Sequence, residues 1–278
     1  KGLAPEILDN IVWGLAGVCD SQNIPCKYSL HMLGRVRDPL ILLLDLLSKT
    51  MQDREQVITY IGSVLKSLAI DCDTAIGIIV RYSGTLVQHT ATMMKLRLEK
   101  ACVPYLGLLS QIAQYDSTTL IENGIGDLIA LPTDWMRRYG FTEWLWLVVG
   151  LAKTHAKNFS VEMIAGIMDV AKTGFPEHQH AAINILFLLW KHDPSKGTCV
   201  ELENVTAEYI HKAAAFPGDY VLAIDLLDTC VAPGKIRDST RSALNKCLSV
   251  PLGTPVLLKV HELLGDDEFF TDIEDLPQ

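Results

Sequence analysis

The sequence predicts an all-α fold assembled from a repeated helical unit. Apolar residues recur at three and four rather than at two along nearly the whole chain, so helix is expected almost throughout and strand signals are close to absent. One helix is used twice. Asp9–Cys19 reads DNIVWGLAGVC and Thr142–Ala152 reads TEWLWLVVGLA, which puts Trp13 on Trp146 and Gly17 on Gly150. Their offset, 133 residues, is close to three units of forty-odd. The next long helices centre on Ile183–Leu188 and Ile224–Asp228, again in steps of about forty residues.

In chain order, the spacing of apolar residues predicts helices at Glu6–Cys19, Tyr28–Leu33, Pro39–Lys49, Arg54–Ala69, Ala75–Tyr82 and Leu86–Lys100. The middle of the chain continues with Pro104–Gln114, Thr119–Glu122, Ile125–Leu131, Trp135–Tyr139 and Phe141–Thr154. Ser160–Gly166 and Met163–Lys172 overlap and read as one bent helix or two. Glu177–Lys191, Asn204–Ala215, Asp219–Cys230, Arg237–Leu248 and Val256–Leu264 complete the set. Turns rich in Asp, Asn, Gly and Pro separate them, at Asp20–Pro25, Gln52–Asp53, Asn123–Gly124, Pro132–Asp134, Gly174–Pro176, Asp193–Gly197, Pro217–Gly218 and Ala232–Gly234. Asp53 and Asp219 stand where a side chain caps the following helix.

A period near forty fits armadillo or HEAT units better than the shorter tetratricopeptide or ankyrin units. The expected architecture is a right-handed armadillo/HEAT-type α-solenoid of about six repeats over residues 1–265. Residues 266–278 read as an acidic tail. No internal domain boundary stands out.

Composition agrees. Hydrophobic residues make up 49% of 278 residues, enough to bury a sizeable core. The mean hydropathy, +0.22, suits helix pairs covered by neighbours on two sides. A membrane span is not expected, because the longest uncharged apolar run, Trp144–Ala152, is far short of the roughly 20 residues a bilayer needs. The chain opens at Lys1 in mid-pattern and reads as a fragment, so any upstream targeting signal is out of view. Seven cysteines, at 19, 26, 72, 102, 199, 230 and 247, form no CxxC pair. Most sit in apolar helical context and read as reduced and structural, which implies cytosol or nucleus. The sequons at Asn158 and Asn204 then carry no weight.

Charge is lopsided. Residues 1–160 hold 15 basic and 15 acidic side chains, whereas residues 161–278 hold 9 and 18. Six of the acids lie in Asp266–Asp275. An acidic second half argues against direct nucleic-acid binding. It suits a basic peptide or protein surface, or simply keeps the surface soluble.

Motifs of catalysis and metal binding are missing: no GxSxG, HExxH, GxGxxG or GxxxxGK[ST] occurs. Pro233-Gly234-Lys235 reads as a helix-ending turn. His178-Gln179-His180, with Glu177 and His192 nearby, is the best metal candidate. Histidines two apart on a helix point in different directions and no cysteine stands at finger spacing, so a polar helix start after Pro176 is the expected account. Neither an enzyme nor a cofactor is expected. The basic clusters Arg35/Arg37, Lys95/Arg97/Lys100 and Arg137/Arg138 read as solvated helix faces.

Pro5–Leu44, with Trp13 in its long helix and Asp38-Pro39-Leu40-Ile41 opening the next, resembles one armadillo repeat of importin-α, the adaptor that carries nuclear localisation signals. IENGIGDLIAL at Ile121–Leu131 is similar to the family's short-helix pattern, and Thr142–Lys153 to its tryptophan helix. Val256–Gln278 looks like the family's last helix and acidic tail. The resemblance implies a nuclear and cytoplasmic transport adaptor. Its concave groove would hold a cargo peptide, and its acidic end, at Asp266, Asp267 and Glu268, would engage an importin-β-class receptor.

In that family tryptophans and an asparagine four residues later line the groove. Positions i and i+4 share a helix face, indoles stack on lysine and arginine stems, and the amide clamps an extended backbone. Here the asparagine places hold Gly17, Ser63 (four after Thr59), Gln111, Gly150 (after Trp146) and Leu188 (four after Asn184). Ser67–Ala101 is also about one repeat short, and the family's basic importin-β-binding segment would lie upstream of Lys1. An apolar Leu188 favours a hydrophobic ligand. Core packing is the competing account for Trp13 and Trp146. The readings carried forward are an adaptor with a peptide groove, a repurposed scaffold that binds one partner and no localisation signal, and an enzyme with a fold-assembled site.

Overall fold

The computed structural model describes residues 55–130, 140–196, 199–212, 217–232 and 235–266, with isolated helical positions at Asn10, Trp13, Gly14, Ile41, Leu43 and Leu44. The described residues are all-α and contain no strand. The predicted helices Tyr28–Leu33 and Trp135–Tyr139, most of Glu6–Cys19 and Pro39–Lys49, and the cap at Asp53 lie outside them. The chain forms two compact units, Lys1–Leu151 and Ala152–Gln278, where the sequence reading set no boundary.

In the first unit, α1 spans Glu55–Asp71, α2 Asp73–Ile79 with a 3-10 turn at Val80–Tyr82, α3 Ser83–Lys95, α4 Glu99–Glu122 and α5 Gly126–Ile129. Most of α6, Phe141–His155, also belongs here. α1 packs along α4, and α2 and α3 cover α4. Ile58, Ile61 and Leu65 recur at three and four and are fully buried, as are Tyr105, Leu108 and Leu109 opposite. Gly62 makes room for Tyr105, because a Cβ there would stand 2.5 Å from the ring. The Tyr105 hydroxyl donates to the Ile58 carbonyl at 3.1 Å.

Two boundaries of the first unit differ most from the sequence prediction. The predicted Leu86–Lys100 helix is broken at Leu96–Leu98. There the Arg97 N–H donates to Met94 O at 3.2 Å and the Leu98 N–H to Met93 O at 3.0 Å, closing α3 with Arg97 at φ 56°. Glycine is the usual signal for that closure and is absent, so the pattern ran on. α4 then starts at Glu99, and Pro104 falls inside it rather than at its start. The gap predicted after Gln114 is real as a kink: Asp116 has φ −150° and ψ 83°, and its carboxylate accepts from the Thr119 N–H at 3.1 Å.

In the second unit, α7 spans Val161–Thr173, α8 Pro176–His192, α9 Val200–Lys212, α10 Pro217–Cys230, α11 Asp238–Cys247 and α12 Thr254–Leu264. The 160–172 segment is one helix, capped by the Ser160 hydroxyl, which accepts from the Met163 N–H at 3.3 Å. α7 packs on α8, α9 on α10 and α11 on α12. Each helix also packs on the second one after it, which makes two rows, α7–α9–α11 and α8–α10–α12. A recurring bond ties the first row. The Lys212 ammonium donates to Lys172 O at 3.0 Å, and the Lys246 ammonium to His211 O at 3.0 Å. Each lysine satisfies a carbonyl left open at the end of the preceding helix of its row. The buried Glu203 carboxylate accepts from the Arg237 N–H and the Thr240 hydroxyl, both at 2.8 Å, and so closes the start of α11. Asp219 does not cap α10. It lies within the first turn and takes His180 instead.

Candidate partner-binding stripes

Long stretches of α4, α6 and α8 are buried nearly all round, which leaves a narrow open stripe on each, and α1 has an open side of its own. On α1 the stripe runs Thr59, Ser63, Lys66 and Ile70. On α4, between Ala101 and Ala113, only Val103 and Gln111 escape burial, and Gln114 follows one turn on. On α6, between Trp144 and Ala152, Trp146 alone is open, 41% exposed. Spacings of three, four and seven keep such residues on one face.

A single side chain relates the first unit's stripes. Lys66 crosses α4 at Gly107, where a Cβ would stand 2.7 Å from its Cε. Its ammonium lies 3.7 Å from the Glu143 carboxylate of α6. Ser63 is one turn from Lys66, Gln111 one turn from Gly107, and Trp146 one turn from Glu143. The open sides of α1, α4 and α6 therefore face the same way. Lys66, Glu143, Gln114 and, in the second unit, Phe187 are residues the sequence reading passed over. Their only signal is spacing at three or four from the residues it named.

Gly150 is buried rather than open. A Cβ on it would stand 2.7 Å from the Ala113 Cβ and 3.0 Å from the Ala113 carbonyl carbon. The glycine lets α6 approach α4, and its place has no room for a side chain.

In the second unit the stripe of α8 runs His180, Asn184, Phe187 and Lys191. Leu188 lies off it, 8% exposed. The Lys191 ammonium sits 5.2 Å from the Phe187 ring centre. His180 Nδ1 is 2.7 Å from the Asp219 carboxylate of α10. Lys259 of α12 lies 2.7 Å from Asp225 and 3.5 Å from Asp228, and the Asp225 hydrogen bond holds its ammonium above the usual lysine range. His180 and Lys259 are thus met by carboxylates of the neighbouring helix, whereas Lys191 rests on Phe187 of its own.

Trp13 is helical and 63% exposed, so both repeated tryptophans are surface residues rather than core. Among the described tryptophans Trp144 and Trp190 are the buried ones. Gly17, Asp267 and Glu268 lie outside the described residues, and Asp266 is exposed with His261 Nδ1 at 3.4 Å. Burial pushes the Cys102 and Cys230 thiols up to about 12 and Cys247 up to about 11, which makes them inert packing groups. Among the described residues no three His, Cys, Asp or Glu side chains gather as metal ligands. His178 and His180 follow Pro176 in a polar helix start. No described helix is long and apolar enough to cross a membrane.

Comparison with protein-family models and with curated proteins gives no match.

Proposed function

We propose that this chain is a non-enzymatic, protein-binding scaffold, an armadillo-type solenoid whose open helical stripes hold a segment of a partner protein. The observation that carries the reading is Lys66, which reaches over Gly107 to Glu143 and relates the stripes of Ser63, Gln111 and Trp146. The two helix rows of the second unit support a repeat architecture. The resemblance to importin-α makes the first form of this reading a nuclear and cytoplasmic transport adaptor. Its stripes hold a cargo peptide, and Asp266, Asp267 and Glu268 meet an importin-β-class receptor. The second form is a repurposed scaffold that binds one partner and no classical localisation signal. Two observations favour the second. The asparagine place after Trp146 is Gly150, closed by Ala113, and the place after Asn184 is the buried Leu188.

A titration with a fluorescent lysine-rich localisation peptide separates the two. Micromolar binding that collapses with salt, and is lost in Trp146→Ala, supports the adaptor. No binding at low salt removes it and is the outcome expected for the repurposed scaffold.

A further inference from the structure

The ligand chemistry of the first unit's stripes follows from the groups they present. Among the described residues, the open groups beside the Lys66–Glu143 pair include the Ser63 hydroxyl, the Gln111 and Gln114 carboxamides and the Trp146 indole, which carry no charge. The carboxylate one turn from the indole, Glu143, already faces the Lys66 ammonium at 3.7 Å. A lysine or arginine arriving at Trp146 would compete with an ammonium held by the protein itself, anchored over Gly107. A basic ligand therefore gains little here. An indole face and carboxamide donors fit another class. A polyproline II segment has no internal hydrogen bonds, so its carbonyls are free to accept, and its proline rings lie flat on an exposed aromatic face.

Resting on the groove reading above, we propose that this surface binds an uncharged, proline-containing extended segment of a partner, with a proline on Trp146 and backbone carbonyls on Gln111 and Gln114. Lys66 is the specificity residue. It occupies the cation place beside Trp146 and cancels Glu143.

The test uses the full chain and two fluorescein-labelled peptides, one proline-rich and uncharged, the other lysine-rich, read by anisotropy. The proline-rich peptide is expected to bind with a Kd that changes less than about 2-fold between low and high salt. Trp146→Ala weakens it by about 10-fold or more, with an unchanged circular-dichroism melt as the folding control. Lys66→Met strengthens the lysine-rich peptide by about 5-fold or more at low salt, because Glu143 is released. The double substitution Lys66→Met/Glu143→Gln removes the gain. Tighter wild-type binding of the lysine-rich peptide, dependent on Trp146, would overturn the inference and keep the groove. Binding of neither peptide responding to Trp146→Ala would overturn the groove reading, and the inference with it.

Discussion

Arg97 occupies the left-handed backbone region, φ 56°, at the close of α3, where glycine is the least strained residue. The hydrogen bonds of that closure come from the main chain and do not need the arginine side chain, which is exposed. Arg97→Gly removes a Cβ strain of about 1–2 kcal/mol and returns part of it as unfolded-chain entropy. A net gain of about 0.5–1 kcal/mol is expected, seen as a rise of about 1–3 °C in thermal unfolding. An unchanged or lowered midpoint would mean that the side chain contributes a compensating contact. The tryptophans teach a related lesson. Trp144 and Trp146 differ by two positions in one apolar run, yet Trp144 is 2% exposed and Trp146 41%. Periodicity says that the two point apart. It does not say which side meets α4, because that depends on the partner helix.

Helix existence was legible, and helix closure less so. Pro176 and Asp193 mark ends by chemistry that acts locally, and the predicted Glu177–Lys191 and Phe141–Thr154 helices are found within a residue or two of their bounds, whereas Pro217 and Gly218, read as a turn, open α10. Pro104 misled, because a proline reads as a start, whereas α4 carries it inside and begins at Glu99. Asp219 misled because α10 starts two residues earlier, at Pro217, which puts Asp219 inside the first turn, where its carboxylate takes His180 of α8. The candidate stripes were legible as positions, since Ser63, Gln111, Trp146 and Asn184 all fall on open faces. Gly150 was legible only as an absence of asparagine. Its cause is the Ala113 contact, which sequence spacing does not contain. That contact makes an element-level prediction. Gly150→Asn, meant to rebuild a clamp beside Trp146, must push α6 off α4. Overpacking of about 1–3 kcal/mol is only partly offset by the better helix propensity of asparagine, so a net loss of about 1–2 kcal/mol is expected in urea unfolding. The variant should gain no affinity for an extended peptide. Full stability with tighter binding would show that α6 can yield.

At the scale of the molecule, the two-row packing of the second unit decides how damage spreads. Each helix there meets its hairpin partner and the next helices of its row, rather than one shared centre. Stability in such an array is a sum of unit and neighbour terms, so a local defect lowers protection nearby and fades with distance along the row. Leu227 is fully buried in α10, which packs on α8, α9 and α12 but has no comparable contact with α7. Leu227→Ala leaves a cavity worth about 2–5 kcal/mol. Amide hydrogen exchange is expected to rise most in α10 and then in α8, α9 and α12, with α7 changed least. A single cooperative globule would instead lose the same protection in every helix, because all slow exchange would pass through one global opening. The exchange pattern therefore tests the repeat architecture without any ligand: a uniform loss across α7 to α12 would remove the solenoid on which the partner-binding reading stands.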